Sequence, residues 1–261
     1  MSSKFPVTKV SLDVLRGPRL KTERADEHIN QIITVSKGLP TDWFDFSVKP
    51  HTIPPHAKPT YFDLTYNPLK PIPEIFALMI GDAVHNLRSA LDHLATAIVR
   101  QGTNDKRAKV HFPVAKNRDD LHGYGHLAKM ESSLPGTEEL IFKEIRPENN
   151  ARDHLWLFKD INNDDKHNLI IPTVTIANIT GINLSETVTN LGFGSDAARP
   201  FIAIRSKAPF AIQGDPQASV DVSFAPGSTF EGEPVVPTLL DVRQLIVETL
   251  DAFDRQIKSH N

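Results

Sequence analysis

The sequence predicts an α+β protein, with a helical core, a small antiparallel hairpin, and a C-terminal β region closed by a final helix. Two observations lead there. Apolar residues recur at helical spacing in blocks near both ends and in the middle of the chain. β-Branched segments broken by Gly and Pro fill a separate block from 169 to 235. Helices and strands grouped in blocks favour α+β over a doubly wound sheet. The 261 residues form a single domain on this reading, mainly helical over 1–168, β-rich over 169–235 and helical again over 236–261.

The first helix is expected over Leu20 to Ser36, with Ala25, Ile29, Ile32 and Ile33 inward and Gly38-Leu-Pro40 as its stop. Alternating segments at Trp43–Lys49 and Thr60–Tyr66 read as an antiparallel pair, separated by a Pro-rich connection. A long helix follows from about Pro73, a good first-turn residue, to about Arg100. Gln101 to Pro135 is polar and Gly-containing, and reads as loops with one short helix; His111, His122 and His126 are taken as surface-loop residues. Another helix covers Asn150 to about Asn163, with Leu155, Phe158 and Ile161 inward. Strands are expected at Leu169–Ile179, Ile182–Leu191, Phe201–Ser206 and Ser219–Phe224. The final helix opens at Thr238-Leu-Leu-Asp241, a capping-box-like start, with Leu239, Val242, Ile246, Phe253 and Ile257 as its apolar stripe.

Composition excludes several classes. No apolar run approaches the roughly 18–20 residues of a membrane span, and the N-terminus lacks the apolar core of a signal peptide. With no cysteine, disulfides and thiolate chemistry are out, and zinc would need His and carboxylates. A net charge of −3 with mixed signs argues against a protein that coats nucleic acid. These facts fit a cytoplasmic protein with no membrane partner. No Gly-x-Ser-x-Gly elbow, P-loop or dinucleotide glycine motif is present. Trp43, Phe44, Phe46, Tyr61, Phe62 and Tyr66 could stack on bases, but alternating strands divide such residues between core and surface.

The chemistry concentrates in Gly81-Asp-Ala-Val-His-Asn-Leu-Arg-Ser-Ala-Leu-Asp-His-Leu-Ala95. At 100° per residue Val84, Leu87, Leu91, Leu94 and Ile98 share one face, while Asp82, Asn86, Ser89 and His93 line the opposite one. Arg88 and Asp92 stand one turn apart, where they can pair. A solvated face is usually Lys, Glu and Gln; short Asn, Ser, Asp and His side chains point to a polar partner or a small cavity. A second polar segment, Lys159 to Asn168, carries Asp164, Lys166 and His167.

Arg88-Ser-Ala-Leu-Asp-His93 resembles the Arg-x(4–6)-His signature of HEPN-type helical domains, with Ser89 where a more polar residue commonly follows the arginine. The resemblance implies an HEPN-like core, metal-independent cleavage of RNA, and a homodimer in which two motifs meet. Arg88 would then hold the phosphoryl charge and His93 would move a proton. Asn86 and Asp92 would orient them, with His85 in the same catalytic set, Lys166 and His167 as auxiliaries and no cofactor. The chain also resembles an uncharacterised bacterial family in which a Gly-Asp-x-x-His-Asn-Leu-Arg-Ser-Ala-Leu-Asp helix precedes an Asp-Lys-His segment; here these are Gly81–Asp92 and Asp165–His167. That likeness implies that the two polar segments form one unit, within one chain or across a two-fold axis.

Two alternatives stay open. Asp82-x-x-His85 and Asp164-x-x-His167 each place a carboxylate and an imidazole one turn apart, as in a divalent-metal enzyme, although helical di-metal sites also need bridging glutamates and only Glu27, Glu74 and Glu144 are plausibly placed. Alternatively the stripe is a buried polar joint in a non-catalytic interaction protein.

Overall fold

The computed structural model describes residues 12–39, 44–51, 61–69, 71–103, 105–148, 153–167, 170, 172–180, 183–184, 201–206, 209, 212–213 and 217–260, with backbone alone for 12–13, 44, 51, 61, 66–68, 153, 162–167, 174–180, 183–184, 201–206, 212–213 and 217–220. The order is a 3₁₀ turn (Leu12–Leu15), α1 (Arg16–Lys37), β1 (Phe44–His51), β2 (Tyr61–Pro68), α2 (Ile75–Thr103), α3 (Arg118–His122), α4 (Gly125–Ser133), α5 (Thr137–Leu140) and a π turn (Ile141–Ile145). Then come α6 (Asp153–His167), β3 (Pro172–Thr180), β4 (Asn183–Leu184), β5 (Phe201–Ser206), β6 (Ile212–Gln213), β7 (Gln217–Phe224) and α7 (Val235–Ser259). The α+β class and the helical core hold. Among the described residues no helix is long and apolar enough to cross a membrane.

The chain divides into two compact units that interleave in sequence. The first comprises residues 1–31, 78–170 and 236–261 and is the helical one. Its axis is α2, whose Val84, Leu87, Leu91, Leu94 and Ile98 are all buried. The small residues Ala83, Ala90 and Ala95 are buried as well, so α2 packs on more than one face. Leu155, Phe158 and Ile161 of α6 are buried, as are Leu239, Val242, Ile246, Phe253 and Ile257 of α7. The rings of Phe112 and Phe253 meet edge to face at 6.2 Å. Polar ties add to this core: Arg243 of α7 donates through Nε and Nη2 to the Asp26 carboxylate of α1, at 3.0 and 2.8 Å.

The second unit, residues 32–77 and 171–235, holds the sheets. β1 and β2 pair antiparallel with Val48 opposite Leu64, as the alternation predicts. The hairpin is not isolated, however. β5 adds to β2 antiparallel, giving the order β1-β2-β5. β3 pairs with β7, and β4 with β6. Of the strand expected at 182–191, only Asn183–Leu184 lies within the described residues.

Two further expectations are corrected. The segment from 101 to 135 is more helical than its glycines suggest, holding α3 and α4. α3 is started by Asn117, whose Oδ1 accepts from Asp120 N at 2.8 Å while its Nδ2 donates to the Asp120 carboxylate. The last helix begins at Val235 rather than at Thr238, which is buried inside its first turn. Burial of Val235 extends the helix past the apparent cap.

Candidate functional site

The polar stripe of α2 has a partner, and it is α1. Gly17 faces His93, with its Cβ position 3.5 Å from the His93 Nδ1. Lys21 donates to Asn86 Oδ1 at 3.1 Å. His28 Nδ1 lies 4.0 Å from Asp82 Oδ2. As positions rise along α1 they fall along α2, so the two helices are antiparallel and the stripe is their shared seam. Asn86 is buried and engaged at both ends of its amide, since its Nδ2 donates to the Asp82 carbonyl at 2.8 Å. Asp82 is mostly exposed, and exposed His85 makes a 3.4 Å contact with Ser89 Oγ.

Arg88 turns to the other flank. Its Nη2 donates to Asp92 Oδ1 at 2.9 Å and to the Phe112 carbonyl at 3.1 Å, with only 12% of the side chain exposed. Asp92 Oδ1 also accepts from the Phe112 backbone N–H at 2.9 Å, and Asp92 Oδ2 meets His111 Nδ1 at 3.0 Å. The i, i+4 pair predicted from sequence therefore forms, and it clamps the segment around residue 112 onto α2. Thr96 adds a second clasp, donating to the Val110 carbonyl at 2.9 Å and accepting from its N–H at 3.1 Å. Arg100 Nε closes a third, on the Ala108 carbonyl at 2.8 Å.

These clasps fold residues 108–112 back along α2 and create a pocket of about 440 Å³ against the start of α1. Val14, Pro18, Ala97 and Val110 give it an apolar floor. His93, Arg100, Lys109 and His111 line it as well, with Asp92 held against His111. Partial desolvation beside α1 lowers the pKa of the still exposed His93 from the ordinary 6.5; nearby Lys21 lowers it further, Asp92 opposes, and Arg100 adds a smaller lowering. At neutral pH His93 is thus an uncharged imidazole, able to accept a proton. His111 is steadied on one side by Asp92, and its backbone N–H donates to His126 Nδ1 at 2.9 Å.

Of the residues singled out in the sequence, Asp92 and His93 line the pocket; Arg88 supports it from behind through Asp92. Asn86 and His85 do not line it. Asp164, Lys166 and His167 belong to α6, but their side chains lie outside the described residues, as does any approach of Asp165–His167 to the stripe. Among the described residues no group of three His, Asp or Glu side chains could hold a metal ion. His122, expected on a surface loop, ends α3, where it stacks on Phe142 at 4.1 Å and meets Glu138 at 3.3 Å.

His111, Lys109 and Arg100 were not flagged by the sequence as functional. They come together only because the loop returns to α2, and helical spacing carries no signal for a loop that does so. Comparison with protein-family models, curated proteins and solved structures finds no match for the chain.

Proposed function

We propose that this protein cleaves RNA without a metal, using two histidines of one chain. The observation that supports this best is the pocket in which neutral His93 and carboxylate-held His111 stand with Arg100 and Lys109. His93 takes the proton from a ribose 2′-hydroxyl. The 2′-oxygen attacks the adjacent phosphorus, and the bond to the 5′-oxygen breaks. His111 gives a proton to that leaving oxygen, producing a 2′,3′-cyclic phosphate and a 5′-hydroxyl end. Lys109 and Arg100 oppose the charge that grows on the phosphoryl oxygens. Asp92 fixes the His111 ring through Nδ1, which leaves the opposite nitrogen as the reacting one.

This reading keeps the histidine of the HEPN-like Arg-x4-His motif and gives its arginine a different task. Arg88 neutralises Asp92 and holds the Phe112 carbonyl, so it positions the acid–base pair from behind. Because both histidines come from one chain, a two-fold dimer is not required for the chemistry. A second reading rests on the α1–α2 seam, where Lys21–Asn86 and His28–Asp82 make a polar joint that would serve an interaction protein equally well.

The experiment is incubation of the full chain with a mixed set of single-stranded and structured RNAs in EDTA, with product ends identified by mass spectrometry. Cyclic-phosphate ends from metal-free protein support the reading. Dependence on an added divalent ion, or no cleavage of any RNA, overturns it, the latter in favour of the polar joint.

A further inference from the structure

From the same pocket we infer a subsite for one nucleotide of a single RNA strand, with the base on the apolar floor and its phosphate at the cationic rim. The inference rests on the proposed function for its substrate and adds how that substrate is held. The floor is aliphatic: Val14 and Val110 are buried, Pro18 closes it from α1 and Ala97 from α2. Phosphate alone would gain nothing from such a surface. A ligand that carries both a flat apolar body and an anion uses all of it.

Size and charge limit the occupant. About 440 Å³ falls in the lower part of the range for small-molecule sites, roughly 300–1,000 Å³, enough for a nucleotide but not for a base pair. Arg100 and Lys109 supply the charge complementary to one phosphate. Base identity has little to be read by. The Thr96 hydroxyl already donates to Val110 O and accepts from Val110 N, and the Asp92 carboxylate is taken up by Arg88, Phe112 N and His111. Purines and pyrimidines are then accepted alike, by apolar contact and ring shape.

The test is calorimetric titration of the full chain in EDTA with inorganic phosphate, ribose 5-phosphate, and the 3′-monophosphates of adenosine and uridine. Both nucleotides should bind at least about tenfold more tightly than ribose 5-phosphate, and within about threefold of each other. Ala97→Leu, which fills the floor, should remove that advantage while phosphate binding persists. Should Ala97→Leu fail to fold, the ligand series on the unaltered chain decides. Equal affinity for ribose 5-phosphate and the nucleotides overturns the subsite, even if RNA is cleaved. A nucleotide advantage without RNA cleavage upholds the subsite and removes the cleavage reading alone. A strong preference for one base overturns the claim that shape and apolar contact suffice.

Discussion

Asp92 Oδ2 lies 3.0 Å from His111 Nδ1, joining the middle of α2 to a loop residue nineteen positions later. The other oxygen of the same carboxylate accepts from Arg88 and from the Phe112 N–H. One side chain therefore fixes the pocket wall, orients an imidazole and neutralises a nearly buried guanidinium.

Asp92→Asn should show this in stability. It leaves Arg88, only 12% exposed, without its counter-charge. Breaking one partner of such a pair costs about 3 kcal/mol. Urea unfolding should reveal a loss of that order; a change below about 0.5 kcal/mol would mean that the clamp contributes little.

Arg88→Lys separates support from catalysis. Lysine ends one bond short of Arg88 Nη2, the nitrogen that donates to both the Asp92 carboxylate and the Phe112 carbonyl, so it can keep one of these bonds but not both. Stability should fall by about 1–2 kcal/mol, while RNA cleavage at a temperature where the variant is folded stays within about threefold of the parent. A loss of about 100-fold in a well-folded Arg88→Lys would return Arg88 to direct contact with phosphate.

His93 should titrate below 6.5 by NMR, because partial desolvation and Lys21 both disfavour its cation. Lys21→Gln should move that titration upward, and no movement would exclude Lys21 as a cause. The consequence for stability follows from proton binding. Between the lowered folded value and 6.5 the unfolded chain holds more of the proton, so stability falls as pH drops through that window and levels off below it. The acid limb of the cleavage rate should likewise lie below 6.5 and rise in Lys21→Gln.

Gly102 of α2 packs directly against Ser133 of α4. A Cβ there would sit 2.4 Å from Ser133 Cβ and 2.6 Å from its Cα. Alanine is the better helix former by about 1 kcal/mol, but backbone atoms cannot rotate aside. Gly102→Ala should therefore destabilise the protein by about 1–3 kcal/mol in thermal or urea unfolding. A stabilised variant would show that the contact relaxes freely.

Most of the fold was legible because it rests on periodicity. Val84 to Ile98 predicts the buried face of α2, and Leu239 to Ile257 that of α7. The Arg88–Asp92 pair was legible for the same reason, being one helical turn. The third strand of the sheet was not, since Phe201–Ser206 gives no local hint that it will join Tyr61–Pro68. The partner of the polar stripe was also hidden. Lys21 and His28 sit on an ordinary amphipathic helix, and nothing in their spacing says which helix will oppose them. His111 does stand exposed in a loop as expected, but its approach to Asp92 was hidden. It occupies a polar, glycine-flanked segment whose path is set by Thr96, Arg100 and Arg88, each contacting a backbone group far along the chain.

The most direct test of the two-histidine account is single-turnover cleavage of an end-labelled RNA in EDTA by the parent, His93→Ala, His111→Ala and the double variant, each shown to be folded by circular dichroism. Each single change should slow cleavage by about 100-fold or more, and the double variant should be little worse than either, since both groups serve one step. Cleavage at the parent rate by folded His93→Ala or His111→Ala would contradict it.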